Sequence, residues 1–224
     1  EVSMLQVHTV RVWAVCAYLI ENDSALVLVD TGWPGNERKV LRLMQVLGRS
    51  DLRLIFITHA HVDHYGSAAA LQRLTGAPVA IHYADAATMA QGKTPVRSAR
   101  GLGKLGRLLL RVVERYPLVR PVQCDLMLKD GDDLGSYGLD AAVVYTPGHT
   151  PGSSCLFVEG RLAFVGDLLS NDGRLVVQRL YADDWAKIPA SVARVQSLKP
   201  EWVYSGHAWH PLKGEALQQL LHFV

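Results

Sequence analysis

The sequence lacks the long apolar runs and the excess of one charge that are typical of membrane-spanning and nucleic-acid-binding proteins. It contains no stretch of ~18 uninterrupted apolar residues, so no transmembrane helix is expected. Its 23 basic and 21 acidic side chains leave a net charge of +2, which favours neither nucleic acid nor a membrane surface as a partner. The first four residues carry no basic region ahead of an apolar stretch, so they do not resemble a signal peptide. Residue 1 is glutamate rather than methionine, which leaves open the earlier removal of a leader.

Cysteine is scarce and odd in number. The three cysteines, Cys16, Cys124 and Cys155, each lie in a strand-like segment. An odd number does not form a disulfide framework, so we expect buried thiols in a reducing compartment. The sequence therefore favours a cytoplasmic protein.

The sequence does contain enough apolar residues for one folded α/β domain. Hydrophobic residues make up 49% of the 224 residues, and we expect a single domain over 1–224. Apolar patterns predict strands over 7–20, 25–30, 54–57, 78–82, 139–145, 153–158 and 161–165. They predict helices over 37–47, 65–74 and 214–223, and a further helix that is capped by Asp183-Asp184 and runs to about 198. Asn22-Asp23 and Glu159-Gly160 are expected to form turns between adjacent strands.

A cluster of imidazoles and a carboxylate follows the apolar run at 54–57, which predicts a buried strand. It contains His59, His61, Asp63 and His64. Imidazole and carboxylate ligands together suit zinc and neighbouring first-row divalent ions. The alternative is a polar loop whose histidines form local hydrogen bonds. The density of these residues at the end of a core strand favours a metal site.

Three further metal-competent side chains lie at predicted strand ends elsewhere in the chain. His149 lies in the turn-rich stretch 145–152, Asp167 follows the apolar run 163–166, and His207 follows the segment 203–206. Loops at strand ends are where sheet-based enzymes place their chemistry. Each residue also has an ordinary explanation, as a turn residue, a turn or N-cap former, and a loop histidine respectively. Together with the histidine cluster, the complementary ligand types favour one shared metal centre.

The sequence resembles the metallo-β-lactamase superfamily in the order of these residues. The family signature is His-x-His-x-Asp-His followed by a distant His, a distant Asp and a last His, and all of these positions are present. The resemblance implies an α/β fold, the four-layer αββα sandwich. It implies that His59, His61 and His149 bind a first metal ion, that Asp63, His64 and His207 bind a second, and that Asp167 bridges the two. It also matches Asp30 to an aspartate that accepts a hydrogen bond from a ligand histidine, for which a turn residue is the alternative.

The reaction that the resemblance implies is hydrolysis by a metal-bound hydroxide. Two divalent ions, with Zn²⁺ favoured and Mn²⁺ or Fe²⁺ as alternatives, lower the pKa of bound water from about 16 to about 7. We expect attack on an ester, lactone, thioester or amide carbonyl, with Asp63 orienting the nucleophile and carrying its proton to the leaving group. Trp33, Tyr181 and His210 are candidate substrate contacts because they lie near ligand loops, and simple packing is the alternative for each.

Departures from individual branches of the superfamily narrow the expected substrate. Glyoxalase II-like thioesterases add a helical domain, whereas only 17 residues follow His207 here, which puts the glutathione pocket in doubt. Zinc β-lactamases usually lack the bridging aspartate, so Asp167 argues against antibiotic hydrolysis as the main role. A lactonase or a general ester or thioester hydrolase acting on a small molecule is the expected class. A phosphodiesterase or nuclease of the superfamily and an iron-dependent persulfide dioxygenase are the alternatives.

A basic segment at about 84–120 interrupts this pattern. Residues 85–120 contain eight Lys or Arg side chains and two acids. Within 100–116 the cations and the apolar residues each recur at helical spacing, which predicts an amphipathic helix that ends before Pro117. A solvated outer face is one interpretation, and a wall beside the metals that accepts an anionic or acyl-bearing substrate is another. Contact with a membrane surface or with a second copy in a homodimer is the third.

Overall fold

The computed structural model describes residues 5–101, 103–105, 107–108, 119–171, 173–208 and 210–220. The strands are β1 (Gln6–Val12), β2 (Val15–Glu21), β3 (Leu26–Val29), β4 (Leu52–Ile57), β5 (Val79–His82), β6 (Leu126–Leu128), β7 (Ala141–Tyr145), β8 (Ser154–Val158), β9 (Leu162–Asn171), β10 (Leu175–Val177), β11 (Trp202–Ala208) and β12 (Leu212–Lys213). The helices are α1 (Glu37–Val46), α2 (Val62–Tyr65), α3 (Ala68–Thr75), α4 (Tyr83–Ala90), α5 (Ile188–Ser197) and α6 (Gly214–Gln218), with a 3-10 turn at Gly135–Tyr137 and helical residues at 103–105 and 107–108.

The first sheet has the order β1-β2-β3-β4-β5-β6 and joins an antiparallel half to a parallel half. Strands β1 to β3 pair antiparallel, and β3 to β6 pair parallel. The prediction of one strand over 7–20 is wrong, because the chain reverses at Trp13 and Ala14, where Trp13 adopts a left-handed φ of 54°. The turn predicted at Asn22-Asp23 is confirmed, since the Asn22 Oδ1 atom accepts hydrogen bonds from the next turn residues.

The second sheet has the order β12-β11-β9-β8-β7, with β10 paired to β9. The predicted turn at Glu159-Gly160 joins β8 to β9, which pair antiparallel. Strand β9 continues past the predicted end at 165 and pairs in parallel with β11. Asp167 and His207 therefore lie inside strands rather than in loops that follow them, which corrects the sequence prediction.

The pairing between β9 and β11 is irregular near Asp167 and His207. This irregularity explains why their side chains depart from the regular alternation of side chains between the two faces of a sheet. Ser205 pairs with Gly166, whereas His207 pairs with Ser170, so two steps along β11 correspond to four along β9. Bulges of this kind bend a strand and re-aim its side chains next to active sites. Gly166 has a φ of +51°, a conformation that L side chains rarely adopt.

The two sheets pack face to face, and helices cover their outer faces. Apolar side chains of β2, β3 and β4 meet those of β7, β8 and β9 between the sheets, with Tyr18, Phe56 and Phe164 among the largest of them. Residues of α1, α3 and α4 cover the other face of the first sheet. Residues of α5 and α6 cover the other face of the second sheet. The predicted αββα sandwich is confirmed.

The helices agree with the sequence prediction less closely than the layers do. The helix predicted over 65–74 is divided into α2 and α3 at Gly66 and Ser67, and α4 was not predicted. Helix α5 begins at Ile188, with Lys187 rather than the aspartates at its N-cap position. Asp183 and Asp184 instead donate backbone hydrogen bonds to the loop that carries His149. Helix α6 ends at Gln218, and residues 221–223 of the predicted helix lie outside the described residues.

The described part of the basic segment packs on the loop between β10 and α5. The Arg97 guanidinium contacts the Asp183 carboxylate at 3.3 Å, and that of Arg100 lies 4.3 Å from the centre of the Trp185 ring. Residues 102, 106 and 109–116 of the predicted amphipathic helix lie outside the described residues. The single domain with a basic insertion stays a prediction. None of the described helices is long and apolar enough to cross a membrane.

Candidate metal centre

Seven side chains that could hold metal ions converge where the two sheets meet. They form a first group, His59, His61, His149 and Asp167, and a second group, Asp63, His64 and His207. Within each group the ligand atoms lie within 4.8 Å of one another. The structure thus brings together all seven side chains that the sequence singled out, from the loops after β4 and β7, from α2 and from β9 and β11.

The histidines of the first group present bare ring nitrogens to one another. The Nε2 atoms of His59 and His149 lie 3.1 and 3.0 Å from His61 Nδ1. Ligands at 2.0–2.1 Å from a tetrahedral zinc ion are roughly 3.3–3.4 Å apart, so the observed separations suit a common ion. All three side chains are buried.

Asp167 joins the first group to the second. Its Oδ1 atom lies 3.1 Å from His64 Nε2, and its Oδ2 atom lies 3.2 Å from His207 Nε2 and 3.5 Å from His149 Nε2. Asp63 Oδ2 lies 3.5 Å from His207 Nε2 within the second group. One carboxylate therefore contacts histidines of both groups, as a bridging ligand would.

The opposite ring nitrogen of each histidine is held by an acceptor, which fixes the tautomer. Nε2 of His61 and Nδ1 of His149 and His207 lie 3.0–3.2 Å from backbone carbonyls, those of Pro95, Tyr181 and Ala14. A carbonyl only accepts, so each of these nitrogens carries a proton, and in the neutral imidazole the other ring nitrogen keeps a lone pair for the site. Such outer contacts are typical of metal-ligating histidines.

Asp30 orders the two remaining histidines. Its Oδ2 atom accepts a hydrogen bond of 2.7 Å from His64 Nδ1. The Thr58 hydroxyl lies 2.9–3.1 Å from both Asp30 oxygens and donates to them, so it accepts from His59 Nδ1 at 3.0 Å. Asp30 also accepts from the Thr58 backbone N–H at 2.8 Å. Parallel pairing of β3 and β4 brings the residues after the two strands side by side, which explains this contact.

The donor set fits divalent metal ions. His64 Nε2 and Asp167 Oδ1 are buried, and no hydrogen bond within the described residues satisfies either atom. With the imidazole proton on Nδ1, His64 Nε2 is a lone pair that faces a carboxylate oxygen, and the three nitrogens of the first group face one another in the same way. Buried acceptors in such contact need either a proton or a metal cation between them. Imidazole and carboxylate suit Zn²⁺, Mn²⁺ and Fe²⁺.

When metal is absent, the histidines of the two ligand groups differ in how readily they are protonated. Burial lowers the pKa of His59 well below its ordinary value and that of His149 to about 4. Burial would also lower the pKa of His64, but neighbouring carboxylates, chiefly that of Asp167, raise it well above its ordinary value. The charge of Asp167 raises the pKa of His207 to about 10. His59 and His149 are therefore ready to bind a cation at neutral pH, whereas His64 and His207 must release protons.

We expect the affinity for the second ion to rise with pH more steeply than the affinity for the first. Below the raised pKa values of His64 and His207 a proton competes with the ion, and that competition fades as pH rises through them. Each displaced proton contributes up to about tenfold in apparent affinity per pH unit. Calorimetric titration of metal-free protein between pH 6 and 9, in buffers of different ionisation enthalpy, measures both steps. Equal pH slopes for the two steps would contradict the assignment.

Two glycines allow the strands to approach the centre. A Cβ atom at Gly166 would lie 2.7 Å from Thr58 Oγ1, and one at Gly206 would lie 2.5 Å from His64 Cε1. Neither distance leaves room for a side chain. The bulged region of β9 and β11 can therefore reach the ligands only with glycine at both positions.

Asp85, which the sequence prediction missed, ties the loop of the first two histidines to the loop of His149. Its buried carboxylate accepts hydrogen bonds from Ala60 N, Gly152 N and Thr150 Oγ1 at 2.9, 2.8 and 2.6 Å. The available signal was a single acid directly after the predicted strand 78–82, in an otherwise apolar stretch. It holds two ligand loops in register without contacting the ligands' ring nitrogens.

Replacing Asp85 with asparagine should loosen the first group. An amide offers one acceptor oxygen and adds a donor where two N–H groups already converge. Loss of such an outer contact lowers metal affinity by about 10–100-fold, and each buried donor left without an acceptor costs about 1–3 kcal/mol of unfolding free energy. Metal titration and urea unfolding measure the two effects, with the exposed Asp140→Asn as the matched control. Unchanged affinity for the first ion in Asp85→Asn would remove this role.

A cavity of about 390 Å³ opens beside the centre, and Asp167 and His207 form part of its wall. Of the three predicted substrate contacts, Tyr181 lines this cavity. Trp33 packs on the core of the first sheet and against Trp13, at 6.2 Å between ring centres. His210 offers its backbone carbonyl to Asn171, and neither Trp33 nor the His210 side chain is among the described lining residues. Their contact with substrate stays a prediction.

Comparison with known proteins identifies the family to which the chain is similar. The model of the metallo-beta-lactamase superfamily matches residues 10–207. An uncharacterized protein of Bacillus subtilis, YobT, is 30% identical over 165 residues, which is 73% of this chain and 65% of that protein. A hydroxyacylglutathione hydrolase of Aeromonas hydrophila is 28% identical over 86% of this chain and 60% of its own length. The chain thus spans less than two thirds of the length of these two relatives.

Solved structures of the same fold are also similar. TTHA1623 in a di-iron-bound form is 28% identical, with a TM-score of 0.72 over 98% of this chain and 100% of that one. A metallo-beta-lactamase of Cronobacter sakazakii with a HARLDQ motif is 26% identical, with a TM-score of 0.69 over 90% of this chain and 74% of that one.

Proposed function

The chain belongs to the metallo-β-lactamase superfamily, and we propose that it is a dinuclear hydrolase that cleaves an ester, lactone or thioester at the carbonyl. The observation that carries the proposal is the contact of one carboxylate, that of Asp167, with histidines of both ligand groups. His59, His61 and His149 would hold one ion, and Asp63, His64 and His207 the other, with Asp167 shared and Asp30 behind His64.

Divalent ions held there would lower the pKa of water to about 7 and polarise a carbonyl oxygen. The chain's own residues then orient the reacting groups. Burial would raise the pKa of Asp63, but His64 and His207 lower it to about 2, so the carboxylate is ionised at neutral pH and can accept a proton only transiently. This supports its proposed role in orienting the nucleophile and passing its proton to the leaving group.

Carbonyl hydrolysis is favoured over phosphodiester cleavage because the described residues of the basic segment do not line the cavity. The basic segment was the one sequence feature that supported a phosphodiesterase. Its described residues pack on the loop 178–185, and none of them lines the cavity. A persulfide dioxygenase would use a single iron, whereas two ligand groups are present here. The hydroxyacylglutathione hydrolase relative supports a thioester as one substrate class.

The proposal also includes the identity of the metal ion and the location of the protein. Zn²⁺ is the favoured ion, and the di-iron form of TTHA1623 keeps Fe²⁺ as an alternative beside Mn²⁺. Cys16, Cys124 and Cys155 are free thiols, two of them buried and Cys124 half-buried, which supports a reducing, cytoplasmic location. A homodimer and a small anionic or acyl-bearing substrate stay predictions.

A substrate panel with metal analysis tests the proposal. We expect two ions per chain and turnover of a p-nitrophenyl ester, a simple thioester or an acyl-homoserine lactone. Turnover of bis-p-nitrophenyl phosphate without ester turnover would favour a phosphodiesterase instead. One iron per chain would favour the dioxygenase. Nitrocefin turnover that exceeds ester turnover would overturn the expectation that antibiotic hydrolysis is not the main role.

A further inference from the structure

The cavity beside the metal centre has a positive wall. Apart from Asp167 and His207, the charged side chains among its described lining residues are Arg11 and Arg179. Basic side chains in a cleft raise the local concentration of anionic ligands.

Arg11 is anchored close to a ligand, and Arg179 follows a residue that is. Arg11, on β1, donates from Nη2 to the carbonyl of Ala208 at 2.7 Å, and Ala208 follows His207 in β11. Arg179 follows Gln178, whose Nε2 atom donates to the Asp167 carbonyl at 3.3 Å. Arg11 and the exposed Arg179 thus line the cavity from two different elements.

Apolar side chains share the same cavity. Trp13, Val176 and Leu180 line it together with the arginines, and Trp13 is 83% exposed at the tip of the β1–β2 hairpin. An apolar chain between the metal centre and an anionic end would cover these side chains. Guanidinium groups bind carboxylate or phosphate through paired N–H donors, which lysine cannot reproduce.

We propose that this cavity selects substrates whose acyl chain ends in an anionic group, which Arg11 and Arg179 bind while the reacting carbonyl lies at the metal centre. The inference rests on the proposed carbonyl hydrolysis and adds the class of acyl group. It also explains the positive wall without using the basic segment.

Two esters of equal chain length and the same leaving group test the selection. They are p-nitrophenyl valerate, which is neutral, and mono-p-nitrophenyl glutarate, which carries a terminal carboxylate. The metal-loaded protein should have a kcat/KM about tenfold higher for the glutarate ester, as expected for one charge-assisted contact. Arg179→Gln should remove most of that ratio through a higher KM for the glutarate ester. Arg174→Gln, an exposed change of the same kind outside the cavity, should preserve it.

A binding measurement separates this inference from the proposed reaction. Glutarate can place one carboxylate at the metal centre and the other at the arginines, whereas valerate has only the first. Calorimetry on metal-loaded protein should show tighter binding of glutarate than of valerate, and Arg179→Gln should abolish the difference. That result without turnover of either ester would overturn carbonyl hydrolysis and keep the anion subsite. Equal binding of the two acids, or an ester ratio unchanged in Arg179→Gln, would overturn the subsite and leave the hydrolase.

Discussion

Replacement of Asp167 by asparagine should release most of the second ion and lower kcat/KM for ester hydrolysis by about 10²–10³-fold or more, since breaking a buried ionic contact costs about 3–5 kcal/mol. Asp167 is the side chain that contacts His64, His149 and His207 at once. An amide of the same shape cannot neutralise two ions, and its nitrogen would face an imidazole or a cation. Metal content by mass spectrometry and ester turnover measure the two losses together.

Asp167→Ala should show the same losses, and the pair of variants separates charge from volume. Asp140→Asn removes a carboxylate from the exposed strand end before β7 and should change neither metal content nor turnover. Circular dichroism at 25 °C establishes that each variant is folded. A folded Asp167→Asn protein that keeps two ions and its turnover would remove Asp167 from the centre.

Replacement of Gly206 by alanine should lower kcat/KM by about 10²-fold, because a ligand displaced by about 1 Å is enough for such a loss. The new Cβ would lie 2.5 Å from His64 Cε1 and 2.7 Å from Asp167 Oδ1, so both side chains must move. His64 cannot retreat freely, since Asp30 holds its other nitrogen at 2.7 Å. We expect weaker binding of the second ion with less change for the first.

Gly135→Ala is the matched control for this change. Its Cβ would meet only the end of the Asp133 side chain, at 3.0 Å, far along the chain from any ligand. It should keep both ions and full turnover. Full activity in Gly206→Ala would show that β11 shifts without disturbing His64, and the steric account of the centre would fail.

The sequence predicts which residues form the site better than it predicts the strands that carry them. The histidine cluster and His149 follow apolar runs at 54–57 and 141–145, and a local pattern is enough to place polar residues at such strand ends. Asp167 and His207 were found by residue type, but their place inside β9 and β11 was not. The bulge depends on how β9 pairs with β11, and a pairing between distant segments leaves no periodic signal in either one.

Other features escaped prediction for related reasons. The reversal at Trp13 lies within the apolar run 12–20, and no glycine or asparagine marks it. Asp85 resembles an ordinary helix residue until the folded chain brings Ala60 and Gly152 to it. Arg11 is one cation in a strand, and its place in the cavity wall depends on a contact with Ala208, 197 positions away.

The β1–β2 hairpin tip links substrate choice to metal retention in a way that bears on how such a protein can diverge. Trp13 and Ala14 line the cavity, and the Ala14 carbonyl also accepts the hydrogen bond from His207 Nδ1. A substitution that reshapes the tip for a new acyl group therefore also reorients a metal ligand. We therefore expect the effect of hairpin substitutions on activity to depend strongly on metal supply. Directed-evolution variants that are selected under excess metal should lose their gain in activity when metal is limiting.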